Sequence, residues 1–108
     1  MTTVSLIKKG DKAIGFDVSG HSGYAESGSD IICAAISSAV SFAETLINDS
    51  YGADANVEVK PESARITLQL TKECEACRNV LEAFERHMRA LSEEYPKYIE
   101  VLEVQSNA

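Results

Sequence analysis

His21 and Cys33 are the residues of this chain whose types and spacing can do nucleophilic chemistry together. A thiol attacks as its thiolate, and imidazole can take the thiol proton near neutral pH and hand a proton to a leaving amine. A cysteine–histidine pair is therefore the minimum equipment for acyl transfer. Each member also has a plainer reading: a small buried helix residue for Cys33 and a solvated turn residue for His21. Cys74 and Cys77 make a second constellation, a Cys-x-x-Cys spacing that can serve redox chemistry or half a zinc site.

The elements that must position the first pair are legible from periodicity. Residues 3–9 and 13–19 read as strands joined by Gly10-Asp11-Lys12, the second alternating Ile14, Phe16 and Val18 with smaller or polar residues. Gly20 to Ser29, GHSGYAESGS, has no apolar period and reads as a loop. Residues 30–49 read as a helix with Ile32, Ala35, Ile36, Ala39, Ala43, Leu46 and Ile47 on one stripe and Ser29 or Asp30 as cap. This puts Cys33 in the first turn, where unpaired amides and the helix dipole favour a thiolate and can hold an oxyanion. Cys33 falls at the stripe's edge, beside a polar side carrying Asp30, Ser37, Ser41 and Glu44. His21 and Cys33 sit at the two ends of one loop, which brings them to roughly 3–4 Å in a resting site. Residues 22–29, with Tyr24 as the one large side chain, are expected to be a lid that orders over a bound peptide.

The order then recurs. Residues 55–60 and 64–70 read as strands turned at Pro61-Glu62-Ser63, and 72–94 as a helix burying Cys77, Val80, Leu81, Phe84, Met88 and Leu91. Pro96 stops it, and 98–104 is a last strand. The expected fold is a single α+β domain over residues 1–108, order β-β-α-β-β-α-β, a two-layer sandwich of two helices on a mostly antiparallel sheet.

Composition narrows the partners. A net charge of −7 makes nucleic acid a poor partner. No run looks continuous enough in apolar residues to span a bilayer, and the N-terminus lacks the order of a secretory signal, so no membrane role is expected. Three cysteines in such a chain point to free thiols in a reducing compartment. A structural zinc site wants four ligands, and beyond Cys74 and Cys77 there are only Cys33, His21 and His87. Cys74 and Cys77 are accordingly read as packing residues, with no metal and no cofactor expected.

The stretch GHSGYAESGSDIICAAIS, residues 20–37, resembles the signature of the bacterial ribosomal-processing cysteine proteases, the Prp family. That signature runs Gly-His, a glycine-containing loop, then Gly-x-Asp-hydrophobic-hydrophobic-Cys-Ala-Ala-hydrophobic-Ser. Gly20, His21, Gly28, Asp30, Ile31, Ile32, Cys33, Ala34, Ala35, Ile36 and Ser37 occupy its positions. The resemblance implies a cytoplasmic endopeptidase, homodimeric, that removes the N-terminal extension of a large-subunit ribosomal protein, protein twenty-seven. Cleavage is expected after a hydrophobic, Phe-rich segment. It implies His21 and Cys33 as a catalytic dyad, Asp30 and Ser37 in support, and Gly20, Ser22, Gly23, Tyr24 and Gly28 as the substrate loop. The alternatives are a non-catalytic module that docks on ribosomal protein, and a thiol redox or metal protein using Cys74 and Cys77.

Overall fold

The computed structural model describes residues 1–20 and 26–106, with backbone alone for 26–30. Strands β1 (Thr2–Lys9) and β2 (Lys12–Ser19) pair as an antiparallel hairpin, turned through Gly10 at a φ of +66°. Strands β3 (Asn56–Lys60) and β4 (Arg65–Gln69) form a second hairpin across the 3-10 turn Pro61–Ser63, which Ala64 closes in the left-handed region at φ +48°. The last strand, β5 (Ile99–Gln105), runs parallel to β1, so the five-stranded sheet is mixed, in the order β3-β4-β2-β1-β5. Helices α1 (Glu26–Glu44) and α2 (Glu75–Glu94) supply the second layer.

Register explains where the core sits. Leu6 pairs with Phe16, and Phe16 with Leu68, so one row of large apolar side chains faces the helices. All three are fully buried. Phe16 stacks on Phe84 of α2 with ring centroids 4.6 Å apart. Cys77, Leu81, Phe84 and Met88 of α2 are buried as the stripe requires, with Val80 and Leu91 partly buried beside them. From α1 and its continuation come Ile32, Ile36, Val40, Ala43 and Ile47.

Three expectations are corrected here. The first helix begins at Glu26 and not at residue 30, so 26–29 of the expected loop are helical and neither Ser29 nor Asp30 is the N-cap. Ser27, Gly28 and Ser29 are weak helix formers, but propensity is a small bias that tertiary packing overrides. At its other end the helix runs on past Glu44 as a π-helical turn, Thr45–Ser50, close to the expected end at 49. Ile31–Ser50 is long and apolar enough on composition to cross a membrane, contrary to the sequence reading. Ile32, Ile36, Val40, Ala43 and Ile47 of that segment go into the core against the sheet, whereas Ile31 and Phe42 stay exposed. Finally, Cys74 and Cys77 are joined in a disulfide and are not free thiols.

Gly15 sits where β2 meets β4, and a Cβ built there would lie 2.2 Å from the Leu68 carbonyl oxygen. Backbone cannot yield as a flexible side chain can, so the strands must separate. Gly15→Ala is expected to cost about 3 kcal/mol, read as a lowered melting temperature or denaturant midpoint.

Lys8 reaches across from β1 to Glu85 of α2 at 2.9 Å, and Arg89 holds the other oxygen of Glu85 at 2.9 Å. Burial pushes the Glu85 carboxyl upward, but the hydrogen bonds from Lys8 and Arg89 outweigh it and hold the group below its ordinary value. A depressed carboxylate contributes stability above its unfolded value and loses it as pH falls through the folded one. Lys8 is raised, chiefly by its hydrogen bond to Glu85, so its share persists through neutral pH and disappears only on the alkaline side. Glu85→Gln is expected to cost about 2 kcal/mol at neutral pH. That difference should close as pH falls below the usual carboxylate range; thermal melts of both proteins across pH 2–7 check it.

Candidate active site

Cys33 is half-buried on α1, between the buried Ile32 and Ile36 on one side and exposed Ser37 one turn on. The expected position at the edge of the buried stripe is therefore observed. Its expected place in the first turn is not: Cys33 is the eighth residue of α1, about 10 Å along the axis from the helix start. The unpaired amides of the helix start therefore lie away from the sulfur, and an oxyanion must find other donors.

The side chain opens into a groove of about 500 Å³. One wall is the side of α1 that carries Cys33, Ser37, Ser41 and Glu44. From Cys33 to Glu44 that wall is about 16 Å long, enough to flank roughly five residues of extended peptide. Val57 and Val59 of β3 and Ile66 of β4 form the opposite wall. They belong to the sheet face that carries the core, because Val59 pairs with Ile66, and Ile66 with Val18. At β3 that face is left open, with Val59 62% exposed, whereas Leu68 of β4 is still fully covered. An apolar strip at the end of a sheet, bordered by a helix with a half-buried thiol, suits hydrophobic side chains of an extended chain.

Gly20 closes the end of the groove near the N-terminus. Its φ is +90°, and a Cβ there would stand 2.7 Å from the Met1 carbonyl oxygen, so the position requires glycine. Its N–H donates to the Ala64 carbonyl at 3.1 Å, tying the exit of β2 to the β3–β4 turn. The residue before His21 is thus anchored in the groove that Cys33 lines. His21, Ser22, Gly23 and Tyr24 themselves lie outside the described residues, as does the first half of the expected lid, 22–25; its second half, 26–29, is helix. Gly28 and Asp30 are placed by backbone on α1, Asp30 three residues before Cys33.

Sequence reasoning missed several groove residues. Thr2 is 3% exposed and lines the groove, and its Oγ1 has no hydrogen-bond partner among the described residues. Val57, Val59 and Ile66 were legible as strand residues but not as the uncovered part of a core face. No group of three or more His, Cys, Asp or Glu side chains is arranged to hold a metal among the described residues. The disulfide borders a different cavity from that of Cys33.

The model of the family described as cysteine protease Prp matches residues 1–100. No curated protein matches the sequence. Among solved structures, the Streptococcus mutans protein SMU.848 is similar with a TM-score of 0.86 at 19% identity, over 98% of this chain and 96% of that one. The ribosomal processing protease Prp of Staphylococcus aureus, in complex with a covalently linked product peptide, has a TM-score of 0.87 at 18% identity. The match covers 96% of this chain and 100% of that one. The same Staphylococcus aureus protease with a substrate peptide has a TM-score of 0.85 at 17% identity, with the same coverage.

Proposed function

Because the chain belongs to the Prp family of cysteine proteases, we propose that it removes the N-terminal extension of a large-subunit ribosomal protein, protein twenty-seven, with Cys33 as nucleophile and His21 as base. The observation that carries this reading is the half-buried thiol of Cys33 opening into an apolar groove about as long as a short extended peptide. A fold neighbour that holds a covalently linked product peptide supports it.

In the proposed reaction the Cys33 thiolate attacks the scissile carbonyl carbon, its proton passing to His21. The tetrahedral intermediate collapses as His21 protonates the leaving amine, which departs with the downstream chain. A thioester to Cys33 remains. Water, deprotonated by His21, attacks that carbonyl and releases the upstream peptide as a carboxylate, and the thiol is restored. Val57, Val59 and Ile66 receive the hydrophobic residues before the cut. Ser37, one turn from Cys33 in the same groove, is positioned to hydrogen-bond substrate or sulfur. Asp30 supports the loop that carries His21. The enzyme works in the cytoplasm as a homodimer in this reading, which sedimentation and fractionation check.

The direct test is incubation with the precursor of that ribosomal protein, followed by mass analysis. One cut after the hydrophobic segment, releasing the intact extension, is expected. Tight binding with an uncut precursor would instead identify a docking module.

A further inference from the structure

The disulfide at the start of α2 borders a cavity other than the Cys33 groove. Three observations single it out. It joins residues only three apart, so the ring it closes restrains little of the unfolded chain and gives a weak staple. Its two sulfurs are unequally placed: Cys77 is fully buried, whereas Cys74 is partly exposed at the N-cap of α2. The backbone N–H of Cys77 donates to the Cys74 sulfur at 3.1 Å, a contact that favours negative charge on Cys74 when the bond is open.

The surroundings of Cys74 add a fourth. It borders a cavity of about 350 Å³ that Lys9, Lys12, Lys72 and Arg78 also line. Among the described residues that line it Glu73 is the one acid, and it is paired with Arg78 at 2.7 Å. A cluster of cations is unexpected in a chain of net charge −7. It fits a small molecule bearing carboxylates, and the cavity is of the size that takes one.

We propose that Cys74 and Cys77 form a reversible thiol–disulfide exchange site whose partner is a small anionic thiol and its disulfide, bound in the basic cavity beside Cys74. In the reducing direction the small thiolate attacks the Cys74 sulfur, the accessible one, and the bond to Cys77 breaks with the electron pair leaving on Cys77. A second thiolate attacks the outer sulfur of the mixed disulfide and expels the Cys74 thiolate. The protein disulfide gains two electrons, two small thiols become one small disulfide, and their two protons pass to Cys74 and Cys77. Oxidation runs the same steps backwards, with the small disulfide as oxidant. The site is separate from the Cys33 groove, so it stands or falls independently of the proposed protease activity.

Glutathione, a tripeptide thiol with two carboxylates, is the probe. The full-length protein is equilibrated over a series of reduced-to-oxidised glutathione ratios, acid-quenched and alkylated, and tryptic peptide 73–78 is read by mass spectrometry. The peptide is expected to pass from disulfide to doubly alkylated in one two-electron transition within the series. A peptide unchanged at every ratio would overturn the proposal. Cys77→Ala should accumulate glutathione on Cys74, and Cys74→Ala should leave Cys77 at least about tenfold slower to react, because it is buried. Equal reactivity of the two would refute the assignment of Cys74. Should Cys77→Ala not fold, rapid acid quenching of the wild type supplies the same reading, because the transient adduct must map to Cys74. In Lys12→Gln/Lys72→Gln, reaction with glutathione should slow several-fold while that with neutral 2-mercaptoethanol is unchanged. Equal slowing, or none, would remove the anionic partner from the proposal.

Discussion

Cys33→Ala is expected to abolish cleavage of the ribosomal-protein precursor, lowering turnover by roughly 10³-fold or more. The size follows from the role: without the sulfur no thioester forms, and the groove alone cannot replace the nucleophile. Fold should survive, because Cys33 is half-buried at the edge of the core and alanine removes one atom from a site already open to the groove. A stability loss of about 1 kcal/mol or less is expected. Rates and melting curves are therefore measured on the same preparation. Turnover near the parental rate would reject Cys33 as nucleophile. Lost turnover with an unchanged melting curve and unchanged binding of the precursor is the expected pattern.

His21→Ala is expected to lower turnover by about 10²–10⁴-fold while changing precursor affinity little, since the lost step is proton transfer and not binding. In the parent protein activity should rise with pH through the range in which imidazole loses its proton. The variant should lose that limb of the profile. Both readouts are needed, because a loop residue that merely shaped the groove would raise the apparent KM and leave the pH profile in place. Gly20, the residue before His21 in sequence, lines the groove and donates its N–H to the Ala64 carbonyl. If His21→Ala cleaves at the parental rate, another base serves Cys33.

Periodicity along the chain reaches only part of the site. The placement of Cys33 at a stripe edge came from the 3.6-residue period alone, and the burial of Ile32, Ile36 and Val40 beside it bears that out. The helix start was misplaced because a Ser- and Gly-rich segment reads as loop by composition. The energy differences involved are fractions of a kcal/mol per residue, which neighbouring structure can reverse. With the helix starting at Glu26, its unpaired amides lie away from Cys33. Cys74 and Cys77 were read as packing residues, correctly for the burial of Cys77. Whether their sulfurs meet depends on the extended conformation of Cys74, φ −157° and ψ 98°, which folds its side chain back over the first turn of α2.

By itself the sequence determined what depends on neighbours along the chain. Alternation placed four of the five strands in two hairpins, the three-four period set two helices with their buried stripes, and Gly10 and Pro61 marked the turns. The motif from Gly20 to Ser37 named the family before any contact was known. Tertiary structure alone decided what depends on residues distant in sequence. It set β5 parallel to β1, and it put β4 beside β2, leaving β3 at the edge. It also left Val57, Val59 and Ile66 as an open extension of the core face opposite Cys33. The physical reason is that an apolar alternation says which side of a strand seeks cover, but not whether a helix is long enough or near enough to cover it. Here two helices fall short of five strands, and the uncovered remainder is the groove.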